Sequence, residues 1–311
     1  MKILGISAGS KNGNNDAICK EVLMGAAECG TEVEFIRLLD LELKPCTGCN
    51  ACLKSLNAGG DGACPIKDDF EWLREKVLDA DGIVFSVPVF EKGAAGVFHI
   101  ILDRFGPRHD RGTNTASMNI ARKVGGTGPD LRVLRDKPVA FLGMGGTNYT
   151  SRFQCDCAML AAHLMWTVVE NKVYNWTKVF AMEDEKVAHA HQTGIRLADA
   201  AADLSKAKYY GDQGMCPHCH SRNFYLNDQA PHAVCCLCGI EGELKIENGK
   251  MRFEFAPDQL CLASDTMEGK LHHAADIKSN QAVRMAMRRS DTFQESQQKY
   301  IHYLKAFVPD R

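Results

Sequence analysis

The chain opens on a run of apolar and small residues, 2–7 (KILGIS), that suits a buried strand. A polar, glycine-bearing turn follows (8–15, AGSKNGNN), and residues 16–29 carry a helical pattern that stops at Gly30. Residues 32–38 alternate as a second strand, 68–78 form a helix, and 83–87 (IVFSV) form a third strand. The alternation continues through 94–104 (helix), 138–144 (strand), 152–165 (helix), 167–173 (strand) and 183–210 (helix). Between them, 107–136 is rich in Gly, Arg and Asn and reads as an excursion from the core. Strands that alternate with helices pair in parallel through right-handed crossovers. The pattern therefore predicts an α/β, doubly wound, five-stranded parallel sheet over residues 1–210. Beyond the glycines at 211 and 214, residues 214–256 change to short strands around cysteines, a second small unit. Residues 257–311 are polar and predicted helical, with Met285, Met287 and the stretch 300–307 as apolar contacts.

Composition changes this picture little. The 311 residues suit two units, and 45% hydrophobic with 24% charged residues is ordinary for a globular chain. A net charge of −2 gives no reason to expect nucleic acid or an anionic membrane as partner. No apolar run reaches membrane-spanning length, and the first strand enters a glycine turn too soon for a signal peptide. The expectation is a cytoplasmic protein. In a reducing compartment its 14 cysteines are not disulfides. They cluster instead, at 46–64 and 216–238, as metal sites do.

Cys216 with Cys219, and Cys235 with Cys238, are two C-x2-C knuckles at the spacing of a zinc ribbon. Zinc is expected there ahead of a rubredoxin-like iron, in a structural role, with His218 and His220 as spare ligands. Cys46, Cys49 and Cys52 form C-x2-C-x2-C, followed by Cys64-Pro65. Three thiolates this close suit the corner irons of a cluster better than one tetrahedral ion. Free or redox-active thiols are the other reading. The loop 7–15 offers small residues, hydroxyls, amides and a helix N-terminus, which together suit a phosphate. It lacks the ending of a nucleotide-triphosphate loop and the G-x-G-x-x-G fingerprint, leaving a monophosphate.

Three ordered motifs carry a resemblance: Gly9-Ser10-Lys11-Asn12-Gly13-Asn14-Asn15, then Ser86-Val87-Pro88-Val89-Phe90 with Ile101-Leu102-Asp103-Arg104, then Gly143-Met144-Gly145-Gly146-Thr147. Over residues 1–205 the sequence resembles the flavodoxin-like NADPH-dependent FMN reductases, and Asn15 stands where that family usually has Thr. The resemblance implies a flavodoxin-like fold that binds FMN. Ser10, Asn12, Asn14 and Asn15 would hold the phosphate. Pro88, Val89, Phe90 and Gly93 would line the ring, with Gly145 and Gly146 approaching from the other side. The first cysteine set, in the loop 46–64, resembles the iron–sulfur flavoproteins and implies a [4Fe-4S] cluster, although its Cys52-to-Cys64 gap is longer than that compact motif.

The function this implies is FMN-dependent oxidoreduction, from ferredoxin or NAD(P)H to a small acceptor such as a quinone, nitro compound, enone or O2. An electron carrier or a redox sensor docking a protein partner is the alternative. A homodimer or homotetramer is implied by the family. No general acid is named. His99, His109 and His163 are candidate acids that read first as structural, Cys155 and Cys157 read as core or boundary residues, and Cys19, Cys29 and Cys261 as buried small hydrophobes. Arg108, Arg111, Arg122 and Arg132 are expected to face water.

Overall fold

The computed structural model describes residues 1–226 and 232–303, the side chains of Pro107 and Ala282 excepted. It divides into two units, Met1–Lys270 and Leu271–Arg311. The first begins β1 (Lys2–Ser7), α1 (Asn14–Glu28), β2 (Glu32–Arg37), α2 (Ala51–Asn57), α3 (Phe70–Asp79), β3 (Gly82–Phe90). Next come a two-residue β4 (Gly93–Ala94), α4 (Gly96–His109), α5 (Arg111–Val124), β5 (Pro138–Met144), α6 (Phe153–Leu164), β6 (Thr167–Tyr174) and α7 (Asp184–Ala202). The main sheet runs β2-β1-β3-β5-β6, every neighbour parallel. This is the doubly wound order with its switch point between β1 and β3.

Burial on both faces explains why β3 and β5 read as continuous apolar runs rather than alternating ones. On one face Phe85 stacks on Phe141 at 5.5 Å and meets the edge of Phe98 at 5.7 Å, within the core that α3, α4 and α6 close. On the other, α1 and α7 approach so closely that side chains are excluded at their crossing. A Cβ on Gly25 would lie 2.0 Å from His191 O, and one on Gly194 1.9 Å from Val22 O.

The segment 107–136 is not an excursion. Asp110 caps α5 by accepting from Thr113 N, and Ser117 Oγ donates to Leu56 O at 2.5 Å. Gly128 N donates to Gly59 O at 2.9 Å, so this helix and its exit loop hold the 57–62 insertion in place. Arg108 is buried against Glu71, and Arg132 binds Asp130, Glu75 and Asp79. Of the four arginines expected in water, Arg122 is exposed, and Arg111 is half-buried. Helix α7 ends at Ala202 rather than near 210, where Asp203 turns extended and a 3-10 turn begins.

The ribbon carries β7 (Phe224–Leu226), β8 (His232–Cys235), β9 (Glu241–Glu247) and β10 (Lys250–Glu254) in one antiparallel sheet. Residues 227–231, inside the expected ribbon, lie outside the described residues. Its core is shared: Cys216, Cys235, Leu237, Cys238, Ile240 and Phe253 pack with Ala158 and Ala162 of α6. The second unit holds most of α8 (Met267–Arg288) and all of α9 (Asp291–Ile301). Met285, Met287 and Tyr300, expected as apolar contacts, are exposed, and 304–307 lie outside the described residues. Cys19 is buried as expected, whereas Cys29 and Cys261 are exposed. No described helix is long and apolar enough to cross a membrane.

Candidate functional site

The loop after β1 is built on Asp16, in the first turn of α1. Its carboxylate accepts from Ser7 Oγ at 2.7 Å and Asn12 N at 2.8 Å, and pairs with Arg37 of β2 at 2.5 Å. Burial alone would push the Asp16 carboxyl up; Arg37, Ser7 and Asn12 outweigh it and hold it below the usual range. Asn12 takes a left-handed conformation (φ 58°), and Gly13 N donates to Ser10 O. A Cβ on Gly9 would lie 2.6 Å from Asn15 Cβ, and one on Gly13 2.8 Å from Ser10 Oγ. The loop is a backbone cradle that larger residues would fill, with a helix N-terminus at its floor.

A cleft of about 260 Å³ joins this cradle to the end of β3. Ser10 and Asn15 line it with Pro88 and Phe90; sequence reasoning missed Leu39, Ala95, Gly96 and Val97. Asn15 is buried, its amide oxygen accepting from Ser86 Oγ at 3.1 Å. Other expected residues act differently. Asn14 Nδ2 donates to Lys178 O and its Oδ1 accepts from Phe180 N, so this amide staples the 178–180 loop instead of pointing to a phosphate. Gly93 is buried: its Cβ would meet Asp156 Oδ2 at 2.3 Å, and Ala94 N donates to that oxygen at 3.1 Å. Val89 and Ala94, Phe90 and Gly93 pair in a hairpin whose tip, Glu91-Lys92, has positive φ at both residues. Gly145 and Gly146 do not line the cleft. They begin the loop after β5, where Gly145 N donates to Tyr174 O. His99 stands 3.6 Å from Asp156, and His109 is fully buried in a structural role.

The first cysteine set spans extended chain and α2. Cys46 and Cys49 are exposed; Cys52 and Cys64 are half-buried. The N–H of Ala51 and then the Thr47 hydroxyl pull the Cys49 thiol down, favouring thiolate. Burial pushes the Cys52 thiol up, helped by nearby Cys64 and Cys46 and opposed by Arg108. Arg104, bonded to Asp68 at 2.6 Å, lies beside Cys64. Among the described residues only the 216–238 thiols converge as a metal-ligand set, so the 46–64 thiols share a neighbourhood with the buried Arg104 and Arg108 without closing a cage.

The ribbon thiols converge tightly. The four Sγ atoms lie within 4.8 Å of one another, with Cys216–Cys238 at 3.8 Å and Cys219–Cys235 at 3.5 Å. A tetrahedral ion with bonds of ~2.3 Å needs sulfur–sulfur edges of ~3.8 Å, so this cage could hold zinc or iron after its widest edge draws in by up to about 1 Å. Mutual hydrogen bonding splits the thiols, Cys219 holding Cys216 down and Cys216 holding Cys235 down. His218 is not a fifth partner: its Nε2 pairs with Asp265 at 2.8 Å.

With the cradle, cleft and thiols placed, comparison with known proteins decides the family. Residues 1–181 match the model of the NADPH-dependent FMN reductases. The chain belongs to that family. FMN is accordingly its cofactor class, and the Gly9–Ser10 cradle with its adjoining cleft fits it. An iron-sulfur flavoprotein of Methanocaldococcus jannaschii is 37% identical over 127 residues, 40% of this chain and 60% of that one, so the match spans under two thirds of that relative. An iron-sulfur flavoprotein of Archaeoglobus fulgidus is 32% identical over 57% of this chain and 78% of its own. A solved structure described as flavone reductase is 49% identical, covers 100% of both chains and superposes with a TM-score of 0.90. The chain is an FMN-dependent oxidoreductase of flavodoxin-like fold.

Proposed function

We propose that this reductase saturates the conjugated carbon–carbon double bond of a flat aromatic enone of the flavone class. Full-length likeness to a flavone reductase carries the reading. Exposed aromatic residues on the same sheet edge support it: Phe90 on the hairpin, Tyr149 in the loop after β5, and Trp176 after β6. Lys92 Nζ lies 5.0 Å over the Tyr149 ring, and Arg152 N donates to Lys92 O, tying hairpin to loop. FMN, when bound, would supply the hydride for the enone β-carbon, and solvent water would supply the proton that the α-carbon must gain. The chain's own residues do the rest. Ser10, Asn12 and the cradle N–H groups hold the phosphate; Pro88, Val89 and Phe90 wall the ring; and the aromatic rim keeps a flat acceptor parallel to it.

Electrons enter from ferredoxin or NAD(P)H. In this reading Cys46, Cys49, Cys52 and Cys64 hold a [4Fe-4S] cluster that passes single electrons to the flavin, with Arg104 and Arg108 offsetting its charge. Cys216, Cys219, Cys235 and Cys238 hold zinc in a structural role. The protein works in the cytoplasm as a homodimer or homotetramer.

Chemical reduction of the FMN-loaded protein without oxygen, followed by flavone, tests the acceptor. Flavin reoxidation matched by loss of the enone absorption is expected. Reduced flavin that persists with flavone yet reoxidises with a quinone overturns it. Metal analysis tests the cysteines: about four Fe and one Zn per chain, with iron lost and zinc kept in Cys52→Ser.

A further inference from the structure

A second cavity, of about 390 Å³, lies where α6 and β6 meet the ribbon, away from the flavin cleft. Ala158, Ala162, Met165, Trp166 and Leu237 give it apolar walls. Arg111 and Asn171 line it as well. Arg111 Nε and Nη2 are shielded from water and lack a hydrogen-bond partner among the described residues. So does Asn171 Oδ1, on a side chain only 6% exposed. Other polar groups around the cavity are engaged. Asp265 accepts from His218 at 2.8 Å, Asp136 accepts from Lys137 N and Thr167 Oγ1, and Gln154 Nε2 donates to Asn171 O. Asp136 draws on the Arg111 charge without hydrogen bonding it.

The pair Nε–H and Nη2–H is the parallel fork with which a guanidinium grips a carboxylate side-on. On this half-buried guanidinium the two shielded nitrogens have lost water without gaining a hydrogen-bonded counter-ion, and a bound anion would remove that cost. Asn171 Oδ1 is an acceptor waiting for a donor. A cavity of this size, with one apolar wall facing a polar one that carries two unpaired groups, can take a small molecule that is itself part ring and part polar.

We infer that the cavity binds a small hydroxylated aromatic carboxylate, its carboxylate on Arg111, its ring against Trp166 and Leu237, and its hydroxyl donated to Asn171. Gln154 and Cys155 line the cavity, and the next residue, Asp156, holds the hairpin of the flavin cleft. Occupancy therefore bears on the helix that braces that hairpin.

Calorimetric titration of FMN-saturated full-length protein with 4-hydroxybenzoate, and separately with inorganic phosphate, tests this. One saturable site for 4-hydroxybenzoate is expected, at least tenfold weaker in Arg111→Gln and also weakened in Arg111→Lys, which keeps the charge but loses the fork. No saturable binding to the unmodified protein, or equal affinity in Arg111→Gln, overturns the proposal. Phosphate binding that depends on Arg111 without binding of the aromatic acid overturns it too, since the site would then take only a bare oxyanion. If Arg111→Gln fails to fold, Leu237→Trp fills the cavity from the ribbon side, and undiminished affinity there sinks the idea.

Discussion

At the scale of single residues, local partners were readable and distant ones were not. Ser10 and Asn15 could be placed at the cleft because a β–α turn and its helix N-terminus are contiguous in sequence. Asn14 sits in the same motif, yet its amide is spent on Lys178 and Phe180, more than 160 positions away. Nothing local distinguishes it from its neighbours. Arg108 was likewise read as solvated because its partner, Glu71, lies on another helix. The cradle itself gives a sharp expectation. Gly9→Val brings a side chain against Asn15, so FMN affinity should fall at least tenfold, about 1.4 kcal/mol, in a fluorescence-quenching titration while the fold persists. His109 gives a second. Its Nε2 accepts from Arg74 at 2.8 Å and its Nδ1–H donates to Phe105 O at 3.0 Å, so the folded ring is neutral. Burial, then Arg74 and Arg108, hold it well below its ordinary 6.5. As pH drops below 6.5 the unfolded chain binds a proton that the folded chain refuses. Stability should then decline by up to about 1.4 kcal/mol per pH unit until the folded group titrates. His109→Gln keeps one donor and one acceptor but cannot titrate. Its stability deficit relative to the unmodified protein, from urea midpoints, should narrow by about 1 kcal/mol between pH 7.5 and 5.5.

At the scale of elements, the central strands β1, β3 and β5 were legible because burial on two faces leaves nearly unbroken apolar runs, and the edge strand β2 because its half-exposed residues alternate. Helix α5 was not. Its buried face is Gly112 against Lys270, Asn114 on Arg108 O and Asp110 O, and Ser117 and Ala121 against residues 56–59, small or polar residues that leave no apolar stripe to read. The end of α3 shows the same blindness in another form. Lys137, 1% exposed, crosses from the start of β5 to donate to Val77 O, Leu78 O and Ala80 O at 2.7, 3.2 and 2.7 Å. Three donors meet three carbonyls at a helix C-terminus, which favours the ammonium, while burial opposes it and pulls the lysine down to about 7. Lys137→Met should leave those acceptors buried and bare, costing about 3 kcal/mol in denaturant unfolding. Lys137→Arg, longer and planar, should recover only part of it.

At the scale of the molecule, the convergence of the four ribbon thiols was legible from the two knuckles, but the ribbon's attachment was not, because α6 and the ribbon meet only in three dimensions. A free-standing ribbon would pack its few apolar residues among themselves. Here Cys216, Cys235 and Cys238, each at most 1% exposed, share their core with Ala158 and Ala162. Asn223 Nδ2 donates to Ser151 O at 3.0 Å, and Lys270, 5% exposed, pairs with Asp110 at the N-cap of α5. The ribbon therefore braces the helix whose first turn supports the flavin hairpin through Asp156. With a metal in the ribbon cage, as proposed, its loss would leave four crowded thiols with nothing to hold them together, and binding free energy of this kind is folding free energy. Cys238→Ser, or a strong chelator, should lower the melting temperature by about 10 °C, the shift that ~3–5 kcal/mol produces at this size. FMN affinity should fall several-fold in parallel, although none of the described ribbon residues lines the flavin cleft. Paired thermal melts and FMN titrations before and after metal removal separate the two architectures. A melt that moves while FMN affinity stays fixed would mean the ribbon folds as an appendage, with its shared core on α6 carrying no mechanical load.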